Sequence, residues 1–234
     1  MIGLFLSKYS FISLLALNII LSSCVSLKDL TVFDPCPEAM VLLSSTETKA
    51  TCVDRYEYSG ESQKLATAYP KSRLNYYDCR AICTMHGKRL ATSLEWQKAC
   101  KGTDPKHCNI FRRHPIVRKQ QDKKPWVFQG KNCKDPRYSW GICLNDPSIN
   151  QQTESLGFNE EFSACRSHIG AVNMIGNLGE WVEDKMIRSG QVVGRFNGGL
   201  YPQIKSSCNY TTIAHSHNYR DYSTGCRCVM DIIL

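Results

Sequence analysis

The chain has 234 residues, a formal net charge of +8 and 13 cysteines. This length is sufficient for one domain with a large hydrophobic core, and no internal repeat divides it. So many cysteines argue against a reducing cytosol and indicate an oxidising compartment in which disulfides form.

The N-terminal residues have the pattern of a cleavable signal peptide. Lys8 is the only charged residue before Lys28, and residues 11–21 are almost wholly apolar. This apolar run is shorter than the roughly 20 residues that a membrane-spanning helix requires. We therefore expect residues 1–23 to be removed rather than to remain as a transmembrane anchor.

Residues 21–24 read Leu-Ser-Ser-Cys and resemble the lipobox of bacterial lipoproteins, in which the cysteine thiol receives a diacylglycerol. We predict lipidation of Cys24, with residues 24–35 as a tether between the membrane and the domain. No acidic residue follows Cys24 directly, which favours the outer membrane of a bacterial cell envelope, facing the periplasm or the surface. An ordinary secretory signal with an incidental Cys24 is the alternative.

Much of the positive charge lies in residues 112–124, which show little apolar periodicity and are interpreted as a solvated loop. Nucleic-acid binding is the alternative for so basic a segment. An exported protein rarely meets that partner, so we expect no nucleic acid. Anionic glycans or phosphates at the cell surface suit the same charge better.

The chain after the tether begins with two β-prone runs, at residues 40–43 and 52–58. A polar turn at residues 44–50 separates them. A disulfide between Cys36 and Cys52 would close this hairpin.

Two helices follow, each with a recognisable N-terminal cap. Asn75 can cap the first helix, with Asp78 at the third helical position. Thr92 and Glu95 form the capping box of the second. Residues 103–169 are predicted to be mostly loop, fixed by disulfides in place of regular structure.

Three blocks of sequence, at residues 52–58, 75–99 and 170–184, resemble the formylglycine-generating enzyme family, also called the sulfatase-modifying factor domain. The middle block contains Gly-Lys-Arg-Leu-Ala-Thr, in which Ala91 replaces a family proline. The last block contains Gly-Asn-Leu-Gly-Glu-Trp, and Gly-Cys-Arg-Cys follows near the C-terminus. The resemblance implies one α+β domain over residues 36–234, with an irregular, disulfide-rich, C-type-lectin-like fold.

The resemblance implies two disulfides, Cys83–Cys228 and Cys100–Cys208. Cys79 and Cys83 are offset by ~6 Å along a helix, and Cys226 and Cys228 by ~6.6 Å along a strand. Because the two offsets are similar, they favour a further bond, Cys79–Cys226, beside Cys83–Cys228. A zinc site built from these four cysteines is the alternative, although an oxidising location favours disulfides. The sequence allows three pairings of the remaining cysteines, Cys108, Cys133, Cys143 and Cys165.

The resemblance also implies a structural calcium ion. Its ligands would be the side chains of Asn173 and Glu180 and the backbone carbonyls of Gly176 and Leu178. Relatives often carry Asp where Asn173 stands, which would lower the affinity here. The alternative is that Asn173 and Asn177 hydrogen-bond their own turn and that Glu180 caps it.

The family's enzyme converts a sulfatase cysteine to formylglycine with dioxygen and a copper ion held by two cysteines, a thiolate pair that suits Cu(I). The ungapped match places Gln203 at the first cysteine and Cys208 at the second. A gapped match makes Cys208 a structural cysteine. In either case we do not expect copper, and Cys208 is only a candidate catalytic residue, alone or with His215 or His217. Those histidines are expected to line a loop surface.

We therefore expect a non-catalytic module that binds or scaffolds an unknown envelope protein or glycan. A formylglycine-generating oxidase is one alternative, and a second usable thiol near Cys208 would distinguish it. A carbohydrate-binding, lectin-like module is another, because sugars stack on aromatic faces. Its candidate residues are Trp126, Tyr138, Trp140, Tyr219 and Tyr222, although most such aromatics are more simply core or loop anchors.

Overall fold

The computed structural model describes residues 34–60, 65–110, 126–128, 131–133, 156–201 and 206–234. The chain divides into two units, Met1–Asp34 and Pro35–Leu234, and the elements below all belong to the second. The predicted signal peptide, Cys24 and the basic segment at residues 112–124 lie outside the described residues. Within the described part, no helix has the length and apolarity needed to cross a bilayer.

The described residues combine short helices with mostly antiparallel strands, as the α+β prediction requires; the β6–β9 pair is parallel. The strands are β1 (Met40–Ser45), β2 (Lys49–Asp54), β3 (Arg89–Leu90), β4 (Trp126–Phe128), β5 (Lys131–Cys133), β6 (Gly179–Arg188), β7 (Gln191–Asn197), β8 (Thr211–Thr212), β9 (Thr224–Gly225) and β10 (Cys228–Ile233). The helices are α1 (Tyr76–Met85) and α2 (Ser93–Cys100), with 3₁₀ turns at Leu65–Thr67 and Pro105–His107.

The first sheet has the strand order β1-β2-β10-β3 and is antiparallel throughout. Val229 of β10 lies opposite Val53 of β2 and opposite Arg89 of β3. β10 therefore lies between β2 and β3, in the interior of a sheet whose other strands come from the first half of the chain.

The second sheet has the order β8-β7-β6-β9, with β6 and β7 as a long hairpin. Trp181 of β6 pairs with Phe196 of β7, and their ring centroids are 4.9 Å apart. Both side chains are buried in a cluster with Tyr76 and Leu90. This aromatic contact joins the second sheet to α1 and to the edge of the first sheet.

Both predicted helix caps are confirmed. The Asn75 side chain accepts from the Asp78 backbone N–H at 2.8 Å, and the Asp78 carboxylate accepts from the Asn75 N–H at 3.0 Å. Thr92 and Glu95 make the same reciprocal pair at the start of α2. Each cap satisfies backbone donors that would otherwise lack partners and contributes about 1 kcal/mol.

The second strand starts and ends earlier than the predicted run at residues 52–58. Its ladder stops at Asp54 because the next backbone groups bond elsewhere. The Arg55 N–H donates to the Ala39 carbonyl at 3.0 Å, and the Tyr58 N–H donates to the Cys226 carbonyl at 2.8 Å. Residues 55–58 therefore lie outside the strand ladder, and their backbone bonds to the segments that precede β1 and β10.

Four disulfides connect the described residues: Cys36–Cys52, Cys83–Cys228, Cys100–Cys208 and Cys108–Cys165. The first three are as expected, and the fourth is one of the pairs that the sequence left open. Cys143 and the side chain of Cys133 lie outside the described residues. The second and third bonds span 145 and 108 residues, and chain-entropy estimates assign about 4.7 kcal/mol to a loop of 100 residues.

The expected Cys79–Cys226 bond is not present, because both residues are free, buried thiols. The Cys79 thiol donates to the Gly225 carbonyl at 3.4 Å. Burial, followed by its hydrogen bond with Cys226, raises the pKa of Cys79 well above its ordinary value. Both buried cysteines pack as small apolar groups. The zinc alternative is also lost, since Cys83 and Cys228 are joined to each other.

Asp231 near the end of β10 ties three strands of the first sheet together. Its carboxylate lies 3.0 Å from Arg89 and 3.1 Å from Lys49, and Thr51 donates to it at 3.0 Å. Hydrogen bonds from Arg89, then from Lys49 and Thr51, lower the pKa of Asp231 to about 2. This ion-pair network stabilises the register of the central strand.

We expect the Cys79 and Cys226 thiols to resist alkylation in the native protein and to react fully after unfolding without reductant. Trypsin cuts after Arg80 and after Arg227, so each thiol is separated from its disulfide-bonded neighbour, and mass spectrometry scores all four cysteines individually. Cys83 and Cys228 should stay unlabelled as an internal control. A peptide in which Cys79 is linked to Cys226 would contradict the assignment.

Asp231→Asn should lower the free energy of unfolding by about 1 kcal/mol at neutral pH, the scale of a partly exposed ion-pair network. Because the folded-state pKa is lowered, the contribution is present above the ordinary aspartate pKa and is lost as the pH falls toward 2. Urea denaturation should show the gap between wild type and variant closing over that range. Glu47→Gln, which removes an exposed charge in the β1–β2 turn, is the control and should change stability little at either pH.

Candidate functional site

The two segments that the resemblance marks as functional, residues 173–180 and the Gly198-Gly199 turn, lie against each other. The Gly176 N–H donates to the Gly198 carbonyl at 3.2 Å, and the Tyr201 N–H donates to the Asn177 carbonyl at 3.0 Å. Gly199 has φ +79°, and a Cβ there would lie 2.2 Å from the hydroxyl of Ser206. Glycine is thus required for this turn to close over the chain that follows it.

Cys208 lies just beyond this turn, but its sulfur is bonded to Cys100 at the end of α2. The bond agrees with the gapped match, in which Cys208 is a structural cysteine. A disulfide sulfur is neither a thiolate ligand nor a nucleophile, so Cys208 does not serve as a catalytic residue while the bond is intact. Gln203 lies outside the described residues.

The described residues do not fit the copper site of the family. That site needs two thiolates beyond the Gly-Gly turn, and the one cysteine described there is oxidised. Across the described ranges, no three His, Cys, Asp or Glu side chains are grouped in a way that could hold a metal.

Arg227 is the centre of a buried polar layer beneath residues 173–180. It is 1% exposed, and its guanidinium donates to the Glu180 carboxylate at 2.8 Å through Nη2. Its Nε–H donates to the same carboxylate at 3.1 Å, and the other three N–H groups reach the carbonyls of Asp54, Arg55 and Val172 at 2.8–2.9 Å. The charge of Glu180 is therefore already compensated within the protein.

Trp96 and Glu57 complete this layer. The Trp96 indole N–H donates to Glu180 at 2.6 Å. The Glu57 carboxyl accepts from the Asn177 side chain and from the Leu178 N–H. Burial, and then the charge of Glu180, raise the pKa of Glu57 to about 8, so this group is mostly protonated at neutral pH.

The predicted calcium ligands fit that ion only in part. Asn173 has φ +58°, and its buried side-chain oxygen has no partner among the described residues, as a ligand position would allow. Glu180, the one charged ligand of the set, is instead occupied by Arg227 and Trp96. The set therefore does not fit a calcium site that depends on the charge of Glu180.

The alternative interpretation of this loop also needs correction. Asn177 does not bond its own turn, because its side-chain oxygen accepts from Asn109 and from the Gly157 N–H, both at 2.9 Å. Glu180 forms an ion pair rather than a cap. The loop is held by contacts to three distant segments.

His217 was expected on a loop surface and is instead buried. Its ring centroid lies 4.3 Å from that of Tyr76, and burial lowers its pKa. His215 stacks on Tyr219 at 3.6 Å, and Tyr222 is buried. Of the described candidates for sugar stacking, Tyr222 is thus buried, and Tyr219 is partly buried with its ring stacked on His215. The others fall outside the described side chains: Trp126, Tyr138 and Trp140.

Arg227 and Glu57 are residues of the buried polar layer that sequence patterns did not predict, although both carry a signal. Arg227 stands between two cysteines at an apolar C-terminal strand, and Glu57 lies in a β-prone run between tyrosines. A charged residue in such a position is rarely buried unless it has a partner. The two residues could have been predicted as partners of buried groups, but their specific contacts could not.

The family profile described as sulfatase-modifying factor enzyme 1-like domain matches residues 22–232. The formylglycine-generating enzyme of Mus musculus is 28% identical to this chain over 184 residues, which cover 70% of this chain and 44% of that protein. The chain therefore spans less than half the length of this curated relative.

Among solved structures, the Major Tropism Determinant M1 variant superposes with a TM-score of 0.51 at 14% identity, covering 86% of this chain and 54% of the other. The I1 variant gives 0.51 at 15% identity, with coverages of 86% and 55%. These similarities concern the fold alone, and they agree with the C-type-lectin-like α+β class. Given the profile match across nearly the whole chain, the protein belongs to the sulfatase-modifying factor enzyme 1-like domain family.

Proposed function

We propose that this chain is a non-catalytic member of its family, a lipid-anchored module that binds or scaffolds a protein or glycan of the bacterial cell envelope. The observation that carries the proposal is the Cys100–Cys208 disulfide. Among the described residues, Cys208 is the one cysteine near the position of the family's copper site. The disulfide with Cys100 gives Cys208 a structural role.

The surroundings of this bond support a structural role. Cys100 is fully buried and lies in the same core cluster as Trp96 and Met174. Removing a native disulfide from a small domain costs about 2–5 kcal/mol. Opening the bond to create a thiolate at Cys208 would therefore weaken the packing around the Gly198-Gly199 turn.

The alternative function is a formylglycine-generating oxidase, and the 28% identity to the mouse enzyme favours it. That chemistry would require a thiol pair, but Gln203 offers an amide and Cys208 a disulfide sulfur. The polar layer of Arg227, Glu180 and Trp96 does not depend on such a pair, because its contacts are complete without one. An intact fold is thus compatible with lost catalysis.

We expect the purified, oxidatively folded chain to form no aldehyde on a sulfatase-derived cysteine peptide in the presence of Cu(I) and dioxygen. Mass spectrometry of the peptide is the measurement, with the mouse formylglycine-generating enzyme as positive control. Gln203→Cys should also be inactive, because Cys208 stays bonded to Cys100 and cannot supply the second thiolate. Aldehyde formation by the wild-type chain would establish the oxidase function and overturn the proposal.

The lipid anchor rests on the sequence around Cys24 and is tested separately. Expressed in a bacterium fed an alkyne-tagged fatty acid, the wild-type chain should carry the label and sediment with membranes, because Cys24 takes the lipid. Cys24→Ala should lose both properties. Ser26→Ala, two residues beyond the cysteine, is the matched control and should keep them. An unlabelled wild-type chain would show that residues 1–23 are an ordinary secretory signal.

A further inference from the structure

A cavity of about 160 Å³ opens at one end of the first sheet, where β2 ends and β3 and β10 begin. The side chains that matter for its chemistry are Asp54, Tyr56, Tyr58, Ser59, His86 and Lys88. None of these belongs to residues 173–180 or to the Gly198-Gly199 turn. Glu57, whose carboxyl bonds to Asn177 and Leu178, also lines the cavity, so the cavity adjoins the buried polar layer but includes neither of those two segments.

The size of the cavity limits its ligand. A protein cavity of about 150 Å³ holds one benzene molecule, whereas pockets for drug-sized ligands measure about 300–1,000 Å³. At about 160 Å³, this cavity has room for the ring of one small molecule, and because it is open to solvent, substituents on that ring can extend out of it.

Two tyrosines give the cavity fixed walls. The Tyr58 ring meets the His86 ring edge-on, with centroids 5.9 Å apart. The Tyr56 hydroxyl donates to the Glu160 carboxylate, which holds its ring in place. Tyrosine and histidine rings present apolar faces, so the C–H face of a saturated ring can pack on them without losing hydrogen bonds.

The polar groups of the cavity are paired by charge but retain hydrogen-bonding capacity. The Lys88 ammonium lies 2.5 Å from Asp54, whose other oxygen accepts from the Cys228 N–H at 3.1 Å. An ammonium has three donors, and the contact with Asp54 uses one. Nδ1 of His86 lies 2.8 Å from the Ile82 carbonyl, which assigns the proton to Nδ1 and leaves Nε2 as an acceptor.

This arrangement selects against a charged ligand. An anion attracted to Lys88 meets the carboxylate of Asp54, and a cation attracted to Asp54 meets the ammonium. Hydroxyl groups both donate and accept, so they can bond to Lys88, Asp54 and His86 without disturbing the ion pair.

We propose that the cavity is a binding site for a neutral, hydroxyl-rich six-membered ring, namely one uncharged monosaccharide unit. The tyrosine walls receive the C–H face of the ring, and Lys88, Asp54, Ser59 and His86 bond to its hydroxyls. The inference deepens the proposed function and rests on its glycan-binding form, but failure of sugar binding here leaves the absence of activity at the Gly198-Gly199 turn untouched.

The test is saturation-transfer NMR, followed by titration, of the folded chain with methyl glycosides of neutral hexoses. Glucuronate serves as the charged ring and phenol as the purely aromatic one. We expect transfer to at least one neutral glycoside, with a Kd in the range of about 1 mM that suits one small ring. Absence of transfer to every neutral glycoside, or stronger binding of glucuronate or phenol, would overturn the proposal.

Two variants of the cavity and one control variant outside it test whether the glycoside binds in the cavity. Tyr58→Ala removes a wall and His86→Ala removes an exposed acceptor, and each should weaken binding at least tenfold. Tyr77→Ala, which truncates a tyrosine that is 53% exposed and does not line the cavity, should bind as wild type does. Circular dichroism checks the fold of each variant, and His86→Ala decides alone if Tyr58→Ala does not fold. Unchanged binding in the folded cavity variants would contradict the assignment.

Discussion

The fold depends on one buried guanidinium. All five N–H donors of Arg227 have acceptors, which belong to the Glu180 carboxylate and to three backbone carbonyls. Removing a charge from water costs several kcal/mol, and only near-complete hydrogen bonding offsets that cost. The requirement fixes the position of every segment that supplies an acceptor.

These segments come from distant parts of the chain. Arg227 precedes β10, its carbonyl partners lie after β2 and before residues 173–180, and Glu180 belongs to β6. Through Glu180 the layer also reaches Trp96 of α2. One ion pair therefore connects both four-stranded sheets and a helix.

Local patterns were sufficient to predict the caps of α1 and α2, because a cap involves residues three positions apart. The resemblance supplied the class of fold and two long-range disulfides. The end of β2 was placed too late, since residues 55–58 bond to remote segments. The Cys79 and Cys226 thiols, the burial of His217 and the cavity beside Lys88 were missed for the same reason, because each depends on contacts between segments far apart in sequence. No spacing along the chain encodes them.

The position of β10 has a consequence for how the molecule is made. Thr51 of β2 bonds to Asp231 of β10, 180 residues later, and β10 also separates β2 from β3. The β1–β2 hairpin can form early, but the sheet has no centre until β10 is available to pair with β2. Contacts of such long sequence separation slow folding, and the open edge of β2 stays exposed in the meantime. Assembly of the first sheet therefore waits for β10, the strand made last of its four.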